Sequence, residues 1–198
     1  MVKDILYRDT PEDEEDLFED LSQVLVAQST SKETVSEVPE TPSQPLVRKN
    51  TAIRAELASL ENAALTERLR DMLIGNRQLL SAQKTALSLL EQGNSCLCVM
   101  ATGRGKSLIF HIHALREALL AKRASAFIYP LRALVHDQAH HLEEEFSACG
   151  ASAVVLTGET PQERRGEIFA ALTDGSIDVV LTTPEFFTIH TQAFAASG

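Results

Sequence analysis

Four short apolar runs recur along the second half of the chain, and segments with helical periodicity separate them. The runs span residues 96–100, 124–129, 151–156 and 177–182. The first run is unbroken, which is typical of a strand buried on both faces. Between the runs, apolar residues stand three or four positions apart, as Leu108, Ile112 and Leu115 do. This alternation predicts repeated β-α units, and therefore an α/β fold with a parallel sheet and helices on both faces.

Further helices are expected on either side of these units. One helical period covers residues 50–73, with Leu57 and Ala64 on its inner side, and a second helix should run over residues 82–91. Farther on, Thr160 and Pro161 predict an N-cap and a first helical position. The segment 183–185, Thr-Pro-Glu, predicts one more helix start.

The N-terminal part of the chain differs in composition from the rest. Residues 1–45 carry 12 acidic and 3 basic side chains, a net charge of −9, whereas the whole chain has −10. Residues 17–25 have helical spacing, and residues 29–49 are rich in Ser, Thr, Pro and Glu, which is typical of a flexible linker. We therefore divide the chain into an acidic extension and linker (1–49), a helical segment (50–76) and an α/β domain (77–198). The near-neutral remainder leaves nucleic-acid binding open.

The cysteines and the apolar runs indicate a cytoplasmic protein. Cys96, Cys98 and Cys149 form no C-x-x-C pair and are interpreted as reduced core residues. The acidic N-terminus lacks the apolar core of a signal peptide, and no run reaches the ~18 residues of a membrane span.

A glycine-containing loop follows the first apolar run and leads directly into a helix. It reads Thr102-Gly103-Arg104-Gly105, and Lys106 and Ser107 come next. Glycines at a strand-to-helix junction allow main-chain N–H groups to converge on phosphate oxygens, and the helix N-terminus adds partial positive charge. In such a cradle Lys106 would contact the β- and γ-phosphates, and the Ser107 hydroxyl would bind Mg²⁺. We expect residues 102–107 to bind a nucleotide, with Lys106 as the catalytic residue.

The loop and three further segments together resemble the RecQ-like branch of superfamily 2 DNA helicases. Residues 100–107, Met-Ala-Thr-Gly-Arg-Gly-Lys-Ser, match the phosphate loop of that family except at Ala101. The resemblance covers residues 79–190 and implies the first RecA-like P-loop domain, incomplete at its end. It also implies ATP and Mg²⁺ as cofactors, DNA as partner, and roles in DNA repair and recombination.

The same resemblance assigns roles to residues before and after the loop. Gln83 stands where the family has a glutamine that reads adenine, while Leu80 replaces an arginine. Residues 130–138 resemble a segment that touches single-stranded DNA, and residues 182–185 resemble a Thr-Pro-Glu signature. The implied DNA-binding residues are Pro130, Leu131, Arg132, Thr183 and Pro184; Thr157 and Gly158 are weaker candidates.

Two elements of a complete motor are not found in the 198 residues. No D-E-x-H box follows the Thr-Pro-Glu segment, and no second RecA-like domain is present. We therefore expect the chain alone to bind ATP weakly, without useful hydrolysis or unwinding.

Several other interpretations stay open at this point. His136 and His140 lie four apart, as two zinc ligands on a helix would. A P-loop kinase or GTPase would need its own motifs, and no N-K-x-D occurs. An RNA-directed helicase fragment fits nearly the same signatures. A docking module without catalysis, in which the N-terminal extension binds a protein partner, is a further alternative.

Overall fold

The structure, a computed structural model, describes residues 7–8 and 49–196. The strands are β1 (Tyr7–Arg8), β2 (Cys98–Val99), β3 (Ser125–Ile128), β4 (Ala153–Val155) and β5 (Val179–Thr182). The helices are α1 (Thr51–Ala58), α2 (Asn62–Ile74), α3 (Ser81–Glu91), α4 (Lys106–Arg116), α5 (Arg132–Ala148), α6 (Gln162–Thr173), α7 (Pro184–Ile189) and α8 (Thr191–Ala196). A π-helical turn, Glu117–Ala121, extends α4. The predicted helix over 17–25 and most of the predicted linker lie outside the described residues.

All described strand pairs are parallel, as expected for β-α units. Strands β3, β5 and β4 form a sheet in that order, with β5 in the centre. Strand β2 pairs with β1 in a separate two-stranded sheet. The four apolar runs are therefore strands, as predicted, but they do not form one continuous hydrogen-bonded sheet.

Two hydrophobic cores cover the two faces of the three-stranded sheet. One face, with Phe127, Val179 and Leu181, packs with residues of α4 and α5 such as Ile112 and Phe146. The opposite face carries Val180 and packs against α6 and α7 in a smaller cluster. Helices on both faces confirm the predicted α/β architecture.

The expectation that the first apolar run is buried on both faces is wrong. Cys96, Cys98 and Met100 contact the larger core, whereas Leu97 is 66% exposed and Val99 is 51% exposed. The smaller cluster is built on β4 and β5 and does not extend to β2. Among the described residues, nothing covers this face of β2.

The helical period over 50–73 consists of two helices instead of one. It breaks between Ala58 and Asn62, and the restart changes which side of the second helix faces inward. Leu57 is buried as predicted, but Ala64 is exposed and Leu65 is buried in its place. Because α1 and α2 contribute to the same core as α4, the boundary drawn at residue 76 stays a prediction.

A buried carboxylate joins α1 to the three-stranded sheet. Asp178 precedes β5 and accepts two hydrogen bonds from the Arg54 guanidinium, at 3.1 Å and 3.0 Å. The Ser152 main-chain N–H (2.9 Å) and the Lys49 ammonium (3.0 Å) contact the same carboxylate. Burial lowers the pKa of Lys49, and the contact with Asp178 partly offsets this effect.

Most other predicted helix bounds are confirmed within a residue or two. The start of α6 lies one residue later than predicted: Pro161 is the N-cap and the helix begins at Gln162. The Thr160 hydroxyl instead accepts a hydrogen bond from the Thr157 N–H at 3.0 Å, inside the preceding loop. No helix within residues 49–196 has the length and apolar character needed to cross a membrane.

Candidate nucleotide and nucleic-acid site

The glycine-containing loop has a backbone conformation that is compatible with a phosphate cradle. It connects β2 to α4, and its two glycines adopt positive φ angles, 76° at Gly103 and 71° at Gly105. The Arg104 N–H donates to the Ala101 carbonyl at 3.3 Å and closes the turn. Residues 101–107 are exposed, so the loop and the N-terminus of α4 are accessible to an anionic ligand.

Lys106 folds back over the start of its own loop. Its ammonium donates to the main-chain carbonyl of Met100 at 2.7 Å and to that of Ala101 at 3.1 Å. These are neutral acceptors, and the structure describes no ion pair to Lys106. The positive charge therefore stays within the loop, where a phosphate would be a stronger partner than a carbonyl.

Gln83 is bound to the loop through its side-chain amide. Its Nε2 donates to the Gly105 carbonyl at 2.9 Å and to the Arg104 carbonyl at 3.3 Å. Its Oε1 accepts from the Leu80 N–H at 2.8 Å, and the residue is only 4% exposed. Gln83 thus holds the phosphate loop against the start of α3. Its expected contact with adenine stays a prediction.

The residue types of the loop fit a nucleoside triphosphate with Mg²⁺. Ser107 lies in the first turn of α4 with an exposed side chain, where a hydroxyl can bind a cation that the phosphates also hold. Across residues 49–196, no cluster of three His, Cys, Asp or Glu forms a metal site of its own. A Mg²⁺ ion here would be held by phosphate oxygens and water together with the Ser107 hydroxyl.

A second feature, the α5 groove, lies where β3 and β5 end. Its volume is about 470 Å³, and it is lined by Pro130, Leu131, Arg132, Gly158, Thr183, Glu185, Phe186 and Ile189. Four of the five predicted DNA-binding residues line it, and Pro184 is the one that does not. The N-terminus of α5, a helix of 17 residues, begins in this groove at Arg132.

Arg132 does not stand free in the groove. Its guanidinium donates to the Glu159 carboxylate at 2.9 Å, and His136 Nε2 lies 3.4 Å from the other oxygen. Hydrogen bonds from Arg132 and then from His136 lower the pKa of the Glu159 carboxyl. Sequence analysis named Thr157 and Gly158 in this loop but missed Glu159, whose partner lies 27 positions away.

Thr183 has a structural role that is visible in the structure. It is 4% exposed, and its hydroxyl accepts from the Phe186 N–H at 3.4 Å as the N-cap of α7. Next to it, the hydroxyl of Thr182 is buried and has no hydrogen-bond partner among the described residues, and the same holds for the hydroxyl of Tyr129, directly after β3. The carboxyl ends of β3 and β5 therefore carry buried polar atoms beside the groove.

A buried histidine connects α4, which follows the glycine-containing loop, to α5, which begins in the groove. His111 of α4 places Nδ1 at 3.2 Å from Glu145 of α5, within a cluster of three phenylalanines. The hydrogen bond with His111 lowers the pKa of Glu145, and burial partly opposes this shift. Sequence analysis missed this pair, because nothing in the local pattern relates two residues 34 positions apart.

The two histidines considered as zinc ligands have separate carboxylate neighbours. His136 is beside Glu159, and His140 is 3.7 Å from Glu144. The histidines and carboxylates of the described segment do not converge on a common point.

The sequence comparison agrees with the geometry of the loop. The model of the DEAD/DEAH box helicase family matches residues 80–196, which is more than half of the chain. The chain belongs to the DEAD/DEAH box helicase family. The matched region begins just before Gln83 and includes both the phosphate loop and the α5 groove.

The curated proteins most similar to this family member include RecQ-like helicases, which confirms the resemblance to that branch. The ATP-dependent DNA helicase Q-like 2 of Arabidopsis thaliana is 31% identical over 105 residues, covering 52% of this chain and 14% of that protein. The RecQ-like DNA helicase blm-1 of Caenorhabditis elegans is 25% identical over 221 residues, covering 94% of this chain and 22% of that protein. The matches thus span about a fifth or less of these relatives.

A solved helicase structure has the same fold. The crystal structure of the DUF1998 helicase MrfA bound to DNA and AMPPNP superposes with a TM-score of 0.56 and 23% identity. The likeness covers 66% of this chain and 19% of that chain. The RecA-like domain predicted from the sequence is therefore confirmed as the fold of this part of the DEAD/DEAH box helicase.

Proposed function

We propose that this chain is the ATP-binding part of an ATP-dependent helicase that separates DNA strands. One observation carries the proposal: Gln83, the glycine loop and Lys106 form a connected hydrogen-bonded unit at the N-terminus of α4. A loop of this kind can direct main-chain N–H groups and one ammonium group to a phosphate chain, which is what triphosphate binding requires.

ATP with Mg²⁺ would supply the free energy of phosphoryl transfer, and the residues of this chain would hold it. The main chain of residues 102–106 and the Lys106 ammonium would bind the phosphates, and the Ser107 hydroxyl would orient the metal ion. On binding, Lys106 would exchange two carbonyl partners for phosphate oxygens. Gln83 would keep the loop in register with α3 and would contact the adenine edge.

The α5 groove is the proposed nucleic-acid site. Its walls combine the guanidinium of Arg132, the N-terminus of α5 and exposed apolar side chains of Leu131 and Ile189. A phosphate at the helix end and a sugar or base on the apolar walls would suit a single strand. The Q-like and RecQ-like relatives are named DNA helicases, which favours DNA over RNA as partner.

The chain by itself is proposed to bind both ligands without useful turnover. Its 198 residues contain no D-E-x-H sequence to complete the magnesium site. Roles in DNA repair and recombination, a cytoplasmic location and a protein partner for the N-terminal extension are proposed from the sequence alone.

Binding titrations with the whole 198-residue chain test this function. A fluorescent ATP analogue with Mg²⁺, labelled 15-nucleotide single-stranded DNA, and RNA of the same sequence are titrated separately, and ATP hydrolysis is followed in parallel. We expect saturable nucleotide binding, tighter binding of DNA than of RNA, and turnover at background level. Equal affinity for RNA would favour the RNA-directed alternative. Nucleotide binding that is absent at millimolar concentration would refute the proposal.

A further inference from the structure

The α5 groove has an unfavourable charge for a site that binds a polyanion. Among the residues that line it, Arg132 is the one with a permanent positive charge, and Glu185 contributes a negative charge. Glu159, beside the groove, is paired with Arg132. Two carboxylates therefore face one guanidinium, so the groove as described attracts phosphate poorly.

The Glu159 carboxylate contacts two side chains of α5 at once, a guanidinium and an imidazole. Arg132 Nη1 is 2.9 Å from Oε1, and His136 Nε2 is 3.4 Å from Oε2. The two side chains lie four residues apart, on successive turns of the same face of the helix. A guanidinium binds carboxylate and phosphate with the same planar set of donors, so the two anions compete for Arg132.

The loop that carries Glu159 is fixed by its own hydrogen bonds. The Glu159 N–H donates to the Thr157 hydroxyl at 3.3 Å. Arg165 of α6 donates to the carbonyls of Gly158 and Thr160, both at 2.7 Å. The carboxylate is therefore presented to α5 by an ordered loop that also forms one wall of the groove.

We propose that Glu159 is an affinity-determining residue of the α5 groove: its carboxylate occupies the Arg132 guanidinium in place of a nucleic-acid phosphate, which must displace it to bind. The inference rests on the proposed nucleic-acid function of the groove. Arg132 is 65% exposed and Glu159 is 56% exposed, and ion pairs this exposed are weak. The need to displace Glu159 therefore lowers the affinity for nucleic acid by a modest factor and does not close the groove.

The test compares two isosteric substitutions in the whole chain. Glu159→Gln removes the competing charge. Glu163→Gln removes the same charge four residues away, from an exposed side chain for which the structure describes no ion pair. Binding of fluorescein-labelled oligo(dT) of 15 nucleotides is measured by anisotropy at four salt concentrations. We expect Glu159→Gln to bind roughly two- to five-fold more tightly, the range that exposed ion pairs support. The slope of log K against log salt should change by less than about 0.7, the value for one phosphate, because Arg132 contacts the phosphate in both proteins once Glu159 is displaced.

A double-substitution cycle separates this inference from a general charge effect. In an Arg132→Gln background, Glu159→Gln should change the affinity no more than Glu163→Gln does, since the guanidinium that it releases is gone. If Glu159→Gln binds DNA with unchanged affinity, the inference is overturned. If it binds DNA more weakly, the inference is also overturned, and Glu159 instead orients Arg132 toward the phosphate. The inference would also be overturned if Glu159→Gln raised the DNA affinity equally in the wild-type and Arg132→Gln backgrounds. If no form binds DNA while the ATP analogue still binds, the nucleic-acid function itself fails, and the inference with it.

Discussion

The Gln83 side-chain amide donates a hydrogen bond to the main-chain carbonyl of Gly105, 2.9 Å away, at the last residue of the phosphate loop. The approach is so close that a Cβ atom at Gly105 would lie 2.8 Å from Gln83 Nε2. Glycine at this position therefore serves two needs, the φ of +71° and the space for the glutamine. Gln83 therefore forms one structural unit with Arg104 and Gly105, which lie 21 and 22 positions further along the chain.

Replacing Gln83 should weaken nucleotide binding through the loop. In Gln83→Leu the Gly105 carbonyl and the Leu80 N–H lose their partner, at about 1 kcal/mol each. We expect the affinity for the fluorescent ATP analogue to fall by roughly ten- to thirty-fold. Gln92→Leu, which removes an exposed glutamine at the other end of α3, is the matched control and should have no effect.

The same variant reports whether Gln83 also contacts adenine. Competition with ATP and GTP gives the ratio of their affinities in the wild type and in Gln83→Leu. If the amide reads the base, the preference for ATP disappears in the variant. A preference that persists, with both affinities lowered equally, would contradict the adenine contact and leave Gln83 as a loop-positioning residue.

Lys106 should matter for nucleotide binding and little for folding. Lys106 is exposed, and its ammonium contacts one part-buried and one exposed main-chain carbonyl, so Lys106→Ala opens no cavity in the core. We expect at least a tenfold loss of ATP-analogue affinity, because a charge-assisted contact to phosphate is lost. The thermal midpoint should stay within about 2 °C of the wild type. Lys84→Ala, an exposed lysine on α3, is the control; a similar loss there would argue against a specific role for Lys106.

Two glycines with similar φ angles should differ in their tolerance of alanine. Gly150 (φ +70°) and Gly175 (φ +75°) both adopt the left-handed region, where a side chain costs about 1–2 kcal/mol. A Cβ at Gly150 would also lie 2.7 Å from the main-chain nitrogen of Arg54, whereas no atom of the described residues would lie within 4 Å of a Cβ at Gly175. We expect Gly150→Ala to lower the free energy of unfolding by about 1–3 kcal/mol more than Gly175→Ala does. Urea denaturation measures both, and equal losses would mean that α1 does not pack against Gly150.

The His111–Glu145 pair should give the stability a pH dependence on the acid side. The pKa of Glu145 is lowered in the folded chain by its hydrogen bond with His111. A carboxyl with a depressed pKa stabilises the fold above its ordinary value, ~4.3, and this contribution disappears as the pH falls through the folded pKa. Glu145→Gln should therefore be less stable than the wild type at pH 7, by about 1 kcal/mol or less because the Glu145 side chain is 43% exposed.

The control for that pair is the neighbouring carboxylate. Glu144 is 70% exposed, and its contact with His140 is 3.7 Å long. Glu144→Gln should leave the free energy of unfolding nearly unchanged between pH 3.5 and pH 7. A difference between Glu145→Gln and the wild type that does not narrow toward pH 3.5 would contradict the role assigned to the pair.

Local sequence patterns predicted where the helices and strands of this fold lie better than they predicted which faces of these elements are buried. The spacing of Leu108, Ile112 and Leu115 predicted both α4 and its buried side, because a helix repeats every 3.6 residues wherever it packs. The pattern failed at Ala64, where a break of three residues shifted the phase. It also failed at Leu97 and Val99, because a run that is apolar on both sides contains no signal for which face is covered.

The candidate site was predicted in its residues but not in its connections. The glycines and Lys106 are adjacent in sequence, so the loop was evident without a structure. The partner of Arg132 was not, since Glu159 lies in another loop, and the partner of Arg54 lies 124 positions away at Asp178. Polar contacts across such separations depend on the packing of the sheet, which no local period encodes.

The uncovered face of β2 has a consequence for work with the purified chain. Leu97 is 66% exposed and Val99 is 51% exposed, and both belong to the first apolar run. Water-exposed aliphatic side chains on short edge strands favour self-association as the protein concentration rises. Light scattering should accompany every titration, and Leu97→Lys together with Val99→Thr should extend the concentration range in which the chain stays monodisperse.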